Sequence, residues 1–322
     1  MMLAVVAVLA FLLAASAYLY HWLASRRERH RFPPPGKLID VGGYRMHLHV
    51  LGEGGPTVVL DSALAGSSLS WSKIQPEVAR FTKVVSYDRA GFGWSDRGPH
   101  PRTLHHMTLE LYELLSNADV EGPFVLVGHS YGGWIAQLLA SRRPALVAGL
   151  VLVDTPHPRE WVEPGSTQRA RVARGARMAR LAAFGARFGV MRAFLQLVRF
   201  RSSSEHNRIA SLLGKTPASI RPQLRSFWVR RTTLEALASQ IENAPESAAL
   251  LAAETTSLGD IPLIVMTAAD PSPQRLDDQL STVALSRSGR HVIAETHDHW
   301  IPLEEPDLVV QAIRDVVASV RA

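Results

Sequence analysis

Residues Val125–Trp134 read Val-Leu-Val-Gly-His-Ser-Tyr-Gly-Gly-Trp, and few folds accommodate such a run. An apolar stretch, Phe124 to Val127, stops at Gly128-His129-Ser130-Tyr131-Gly132-Gly133. Apolar positions then resume at helical spacing from Trp134 to Ala140. The pattern predicts a strand, a sharp turn and a helix, with Ser130 at the tip. Side chains two residues before or after the serine would collide in so tight a turn, which accounts for Gly128 and Gly132. The serine hydroxyl is then exposed over a helix N-terminus, where the dipole and the Tyr131 N–H favour developing negative charge. The bland alternative is a serine that merely caps a helix. A bare G-x-S-x-G recurs by chance; the same motif between a buried strand and a helix is selective.

The chain has 322 residues, 47% of them hydrophobic and 20% charged, enough for a large α/β domain with an insertion. It contains no cysteine, which excludes disulfides, thiolate metal sites and a cysteine nucleophile. Its formal charge of +6 points to nucleic acid or an anionic membrane, depending on where the charges sit.

Met2 to Ala24 is an almost unbroken apolar run, long enough to cross a bilayer core of ~30 Å. A cleaved signal peptide is the competing reading, with Ala15-Ser16-Ala17 as a cleavage site, but no Lys or Arg precedes Arg26. The run is apolar on every face, so a buried core helix fits poorly. The expectation is a single membrane anchor over residues 1–31, ending in the basic flank Arg26-Arg27-Glu28-Arg29-His30-Arg31. That flank would place itself and the domain after it on the cytoplasmic side. Phe32-Pro-Pro-Pro-Gly36 makes a stiff spacer.

Lys37–Val41 and Tyr44–Leu51 read as a hairpin about Gly42-Gly43. His47 and His49 alternate along its second strand; with no third ligand in sight they are expected to be surface histidines, and no metal site is expected. Short apolar strands come next at Thr57–Asp61, Lys83–Asp88, the Ser130 strand and Ala148–Asp154, with a helix from about Thr103 to Asn117. Strands alternating with helices predict a mostly parallel sheet flanked by helices, with its ligand site at the C-terminal strand ends. The alternation stops from residue 156 to 255, a helical stretch, and resumes at Ile261–Thr267, His291–Ala294 and a last helix from Glu305. The expected organisation is an α/β core over 32–155 and 256–322, with 156–255 as a helical cap over the site.

A serine hydroxyl needs a base within hydrogen-bond reach, and the base needs a carboxylate to hold its tautomer. On this architecture the order is Ser, then Asp or Glu, then His. Asp270 follows the 261–267 strand, and His299 precedes the last helix in His299-Trp-Ile-Pro-Leu-Glu-Glu-Pro306. His297 competes with His299, and Asp154, also at a strand end, competes with Asp270.

Through Val127–Gly133, Tyr87-Asp-Arg-Ala-Gly-Phe-Gly-Trp-Ser95, Ile261–Asp270 and His299–Pro306 the chain resembles the α/β-hydrolase superfamily, nearest its single-domain hydrolases with Ser-Asp-His triads. The resemblance covers about residues 38 to 320 apart from the cap. It implies Ser130 as nucleophile, His299 as general base and acid, Asp270 as orienting carboxylate, and the backbone N–H groups of Leu64 and Tyr131 as oxyanion donors. Many relatives carry His-Gly where this chain has Ser62-Ala63, and glycine where it has Asp298. The first departure puts the oxyanion loop's shape in question, although backbone donors tolerate it. His129 is expected either to line the substrate pocket or to pack against its neighbours, Trp300 to line the pocket, and Asp88 and Arg89 to brace their loop by a salt bridge. Serine at 130 contradicts the aspartate nucleophile of epoxide and haloalkane hydrolases of this fold.

Residues 156–231 hold sixteen Lys or Arg against three acidic residues, so the basic charge is concentrated in the cap. From Gln168 to Arg201, arginines 169, 171, 174, 177, 180, 187, 192, 199 and 201 interleave with apolar residues. Such helices are either solvated faces over a buried side or a surface on anionic lipid headgroups. Nucleic acid fits less well, for want of a recognition motif. The expected function is hydrolysis of an ester or thioester with an apolar acyl part, without a cofactor. The alternatives are acyltransferase, peptidase or carbon–carbon hydrolase chemistry on the same residues, and a non-catalytic membrane-tethered binding protein.

Overall fold

The computed structural model describes residues 1–162, 165–198, 212 and 214–322; Arg199 and Arg201 of the basic segment lie outside them. Eight strands form one sheet: β1 (Lys37–Asp40), β2 (Arg45–Leu51), β3 (Thr57–Asp61), β4 (Val84–Tyr87), β5 (Phe124–His129), β6 (Val147–Val153), β7 (Leu263–Thr267) and β8 (Gly289–Ile293). Their order is β1-β2-β4-β3-β5-β6-β7-β8, with β2 antiparallel to both its neighbours and the remaining pairs parallel. The hairpin expected at Gly42-Gly43 is present. Both glycines have positive φ, and their N–H groups donate to Asp40 Oδ1 at 2.9 and 3.0 Å.

At the N-terminus α1 (Met2–Arg31) is one continuous helix that runs through the basic flank, past the apolar run's end at Ala24. Among the described residues it is the one helix long and apolar enough to cross a membrane.

The central strands are apolar on both faces because helices cover both. Along β5, Leu126 joins one apolar cluster while Val125 and Val127 join the other; along β6, Leu150 and Leu152 oppose Val151 and Val153 in the same way. The second cluster is closed by Trp71, Ile74 and Val78 of the short helix α2 (Gln75–Val78) and its approach, together with the last helix of the chain, Pro306–Arg321. The first is closed by α3 (Leu104–Asn117) and α4 (Tyr131–Arg142). Each fully buried Leu, Ile or Val there stabilises the fold by ~1.5–3 kcal/mol.

Between β6 and β7 the described residues form only helices: α5 (Arg159–Val162), α6 (Ser166–Ala186), α7 (Val190–Val198), α8 (Arg221–Trp228), α9 (Arg231–Glu242) and α10 (Ala244–Glu254). Ala248 and Leu251 of α10 pack into the same cluster as α3 and α4. The overhanging part of the excursion therefore ends before residue 255. After β7 come α11 (Pro273–Val283), α12 (Ile301–Glu304) and α13 (Pro306–Arg321).

Strand order reverses between β3 and β5, so the loop after β3 and the turn after β5 flank one crevice at the C-terminal sheet edge. Ligands bind at such a switch point in open α/β sheets.

Candidate active site

Ser130 has φ 53° and ψ −120°, a conformation an L-residue adopts only when its surroundings impose it. The Ser130 N–H donates to Val153 O at 2.9 Å, and its own carbonyl accepts from the Gly133 N–H at 3.0 Å. A Cβ on Gly128 would lie 2.4 Å from the Gly133 Cα, and one on Gly132 would lie 2.5 Å from the Asp61 carbonyl oxygen. Both clashes are with main chain, so the turn depends on these glycines.

A cavity of about 460 Å³ opens above Ser130. Leu64, Tyr131, Asp154, Asp270, His297 and His299 share its lining with Ser130, so five chain segments meet there. His299 Nδ1 lies 2.5 Å from Asp154 Oδ2. Arg275 Nη2 donates to the other carboxylate oxygen, Asp154 Oδ1, at 2.8 Å, and the Ala268 N–H reaches it at 3.4 Å. Burial drives the Asp154 pKa upward, but the hydrogen bond and charge of His299, and then the Arg275 guanidinium, outweigh it and hold the carboxyl well below the usual carboxylate range. Asp154 therefore keeps its charge against the ring.

The carboxylate on His299 is thus Asp154 and not Asp270. Asp270 sits at the corresponding place after β7, but its side chain is 87% exposed against 7% for Asp154, and its partner is His297 Nδ1 at 3.5 Å. Asp154 ends β6, the immediate neighbour of β5, and Asp270 follows β7, one strand further out. His297, the competing base, pairs with exposed Asp270, leaving His299 on the buried carboxylate.

His129 and Trp300 do not line the cavity; both are buried beneath it. His129 Nε2 donates to the His299 main-chain carbonyl at 2.8 Å, and the two rings lie 4.8 Å apart. Burial, reinforced by repulsion from His299, pulls the His129 pKa down to about 3, so its ring stays neutral. Asp298 stands where relatives carry glycine. It accepts from the Trp300 N–H at 3.0 Å and pairs with Lys215 Nζ at 2.7 Å, tying the histidine loop to the helical excursion.

The loop after β3 is braced without His-Gly. Arg89 Nη2 donates to the Ala63 carbonyl and Nη1 lies 3.6 Å from Asp61 Oδ1, while Gln240 Oε1 accepts from the Ala65 N–H at 3.2 Å. Ala65 itself has φ 54°. Leu64 is left at the cavity wall beside Tyr131, the first residue of α4, whose N–H has no carbonyl one turn back. Arg89 and Asp88 do not pair with each other as expected. Asp88 accepts from the Ser68 N–H at 2.7 Å, the Trp94 N–H at 3.0 Å and His47 Nδ1 at 2.9 Å. His47 is therefore a buried partner of Asp88, not a surface histidine.

Sequence reasoning missed Arg275, Glu160, Trp161, Ile241 and Ala244 in the cavity wall. Arg275 had a local signal. Ser272-Pro273 is an N-cap followed by proline, and Ser272 Oγ accepts from the Arg275 N–H at 3.3 Å, which starts α11 and puts Arg275 in its first turn. The others come from helices whose faces periodicity alone does not assign.

No group of three or more His, Asp or Glu among the described residues is arranged to hold a metal ion. A family model described as the alpha/beta hydrolase family matches residues 48–312. The uncharacterised protein YqjL of Bacillus subtilis is 34% identical over 119 residues, 37% of this chain and 47% of that protein. A 2-hydroxymuconate semialdehyde hydrolase of a Pseudomonas strain is 32% identical over 126 residues, 38% of this chain and 44% of that one. The match thus spans less than half of each of these relatives. An enol-lactonase from Burkholderia xenovorans superposes with a TM-score of 0.64 at 20% identity, covering 88% of this chain and 100% of that one. A structure described as a lipase from Acinetobacter baumannii gives 0.66 at 19% identity, covering 94% and 96%. At these identities the superpositions bear on the fold alone.

Proposed function

Because the chain belongs to the alpha/beta hydrolase family, we propose that it is a serine hydrolase that cleaves an ester or thioester of an apolar substrate through an acyl-enzyme. The observation that carries this reading is the meeting of a strained Ser130 with the His299–Asp154 pair on one cavity. In the proposed mechanism Ser130 Oγ attacks the substrate carbonyl and passes its proton to His299 Nε2, the ring nitrogen that Asp154 leaves free. Asp154 holds the proton on Nδ1 and stabilises the imidazolium as it forms. The N–H groups of Tyr131 and Leu64 receive the developing oxyanion. His299 then gives the proton to the leaving alcohol or thiol, and water repeats the sequence to release the acid.

Leu64, Trp134, Trp161 and Ile241 in the wall favour an apolar acyl group, and the volume suits a small to medium one. The deciding experiment is covalent labelling by a fluorophosphonate. We expect one adduct, on Ser130, lost in Ser130→Ala. A folded protein that ignores the probe would favour a binding role instead. Product analysis with a competing alcohol separates hydrolysis from acyl transfer.

We also take α1 as a membrane anchor. Its thirty residues at about 1.5 Å each give roughly 45 Å, ample for a bilayer core. The flank Arg26-Arg27-Glu28-Arg29-His30-Arg31 favours a cytoplasmic hydrolase domain. Retention of the full-length chain in alkali-washed membranes supports an anchor; a mature chain beginning after residue 17 supports a cleaved signal.

A further inference from the structure

Helix α6 is built the wrong way round for a helix that faces water. Its buried side consists of Ala176, Ala179, Ala183 and Ala186, with Ala183 and Ala186 against Leu234 of α9. Its large apolar residues point outward: Met178 and Leu181 are each 60% exposed and Phe184 is 64% exposed. At 100° per residue, Arg174, Arg177, Met178, Leu181 and Phe184 fall within an arc of about 120°. Past the helix end, Arg187, Phe188, Val190 and Phe194 are exposed as well. A solvated helix places small or polar residues outside and large apolar ones inside; here large apolar residues lie outside, with Arg174 and Arg177 interleaved among them.

The position of α1 identifies what covers this face. A Cβ on Gly189, in the turn between α6 and α7, would lie 3.7 Å from His21 Cβ. Arg192 of α7 pairs with Glu28 and reaches Ser25 Oγ at 3.4 Å. His21 lies inside the apolar run and, ten residues before Arg31, about 15 Å along the axis from it. An α1 that spans a bilayer therefore carries the α6–α7 corner down to the membrane surface.

We propose that the outer face of α6 and the α6–α7 corner are inserted into the headgroup–acyl boundary of an anionic leaflet, with Leu181, Phe184 and Phe188 among the acyl chains and Arg174, Arg177 and Arg187 on lipid phosphates. The inference rests on α1 being a membrane span and adds a second, lateral contact to it. It also makes the helical excursion the part of the hydrolase nearest the lipid.

The absence of cysteine allows unique labelling of the full-length chain. Single variants Phe184→Cys, Leu181→Cys, Leu12→Cys and Glu121→Cys, each carrying nitrobenzoxadiazole, are reconstituted in phosphatidylcholine–phosphatidylglycerol vesicles with nitroxide-labelled acyl chains. Labels at 181 and 184 are expected to be blue-shifted and quenched several-fold more than the label at 121, which precedes β5 at the opposite sheet edge. Quenching at 12 with none at 181 and 184 overturns the proposal and leaves the anchor intact. No quenching at 12 either removes both. A blue shift at 184 without nitroxide quenching means that protein covers the face, and overturns the lipid assignment. Quenching at 184 undiminished without phosphatidylglycerol overturns the requirement for an anionic leaflet.

Discussion

Two strand ends on one sheet edge carry an aspartate each, and they have come to opposite conditions. Asp154 after β6 and Asp270 after β7 both have positive φ, 45° and 47°, and both line the cavity. Asp154 is buried on His299 and Arg275, whereas Asp270 is exposed on His297. Positive φ is shared, so it does not decide which carboxylate meets His299. The surroundings differ: Asp154 is enclosed by His299 and Arg275, while Asp270 faces water. A carboxylate in solvent has little to offer an imidazolium, because water screens its charge and its ring partner is itself exposed.

The largest expected effect is on Asp154. Asp154→Asn should keep the fold and lower kcat/KM for a soluble ester by about 10³–10⁴-fold, since the ring loses both tautomer control and a counter-charge. A matching loss in Asp270→Asn would break the comparison. Next comes the turn itself: Gly128→Ala puts a methyl into main chain and should cost ~3 kcal/mol or more by urea unfolding, with loss of fluorophosphonate labelling. His129 gives the pH test. Its pKa is lowered in the fold to about 3, so the unfolded chain binds the extra proton below about pH 6.5. Stability should therefore fall as pH drops from 6.5 toward 3, and His129→Asn should flatten that part of the urea-midpoint profile. An unchanged slope would place the titration elsewhere.

Arg275→Met sharpens the contrast more gently. Asp154 is held below its ordinary value, so it contributes stability above about pH 3.8 that is lost as pH falls through the lowered folded value. Without Arg275 the depression shrinks, and the acid-side loss should be smaller, while kcat/KM at neutral pH changes less than about tenfold. Smallest of all is Asp270→Asn, expected within about threefold in kcat/KM.

Sequence patterns with local causes were legible. The Ser130 turn, the parallel sheet and His299 before α13 follow from glycine sterics, apolar runs and the Pro302-to-Pro306 register. The carboxylate on His299 was not legible, because Asp154 and Asp270 both end strands ahead of His299 and are separated only by tertiary contacts with His299 and Arg275. His47 read as a surface residue because its partner, Asp88, is 41 residues away. His129 and Trp300 sit next to motif residues, yet both side chains are buried, which adjacency in sequence does not reveal. The face of α6 was legible as arginine mixed with apolar residues, but not its orientation, since alanine and leucine compete for the inside and only α9 decides.

The bond from His129 to the His299 carbonyl has a mechanical consequence. One strand, β5, leads into Ser130 and ends in the clamp on the histidine's main chain. The loop between β8 and α12 is thereby tied to the same anchorage as the serine. In the proposed mechanism the hydroxyl and the imidazole then share one mounting.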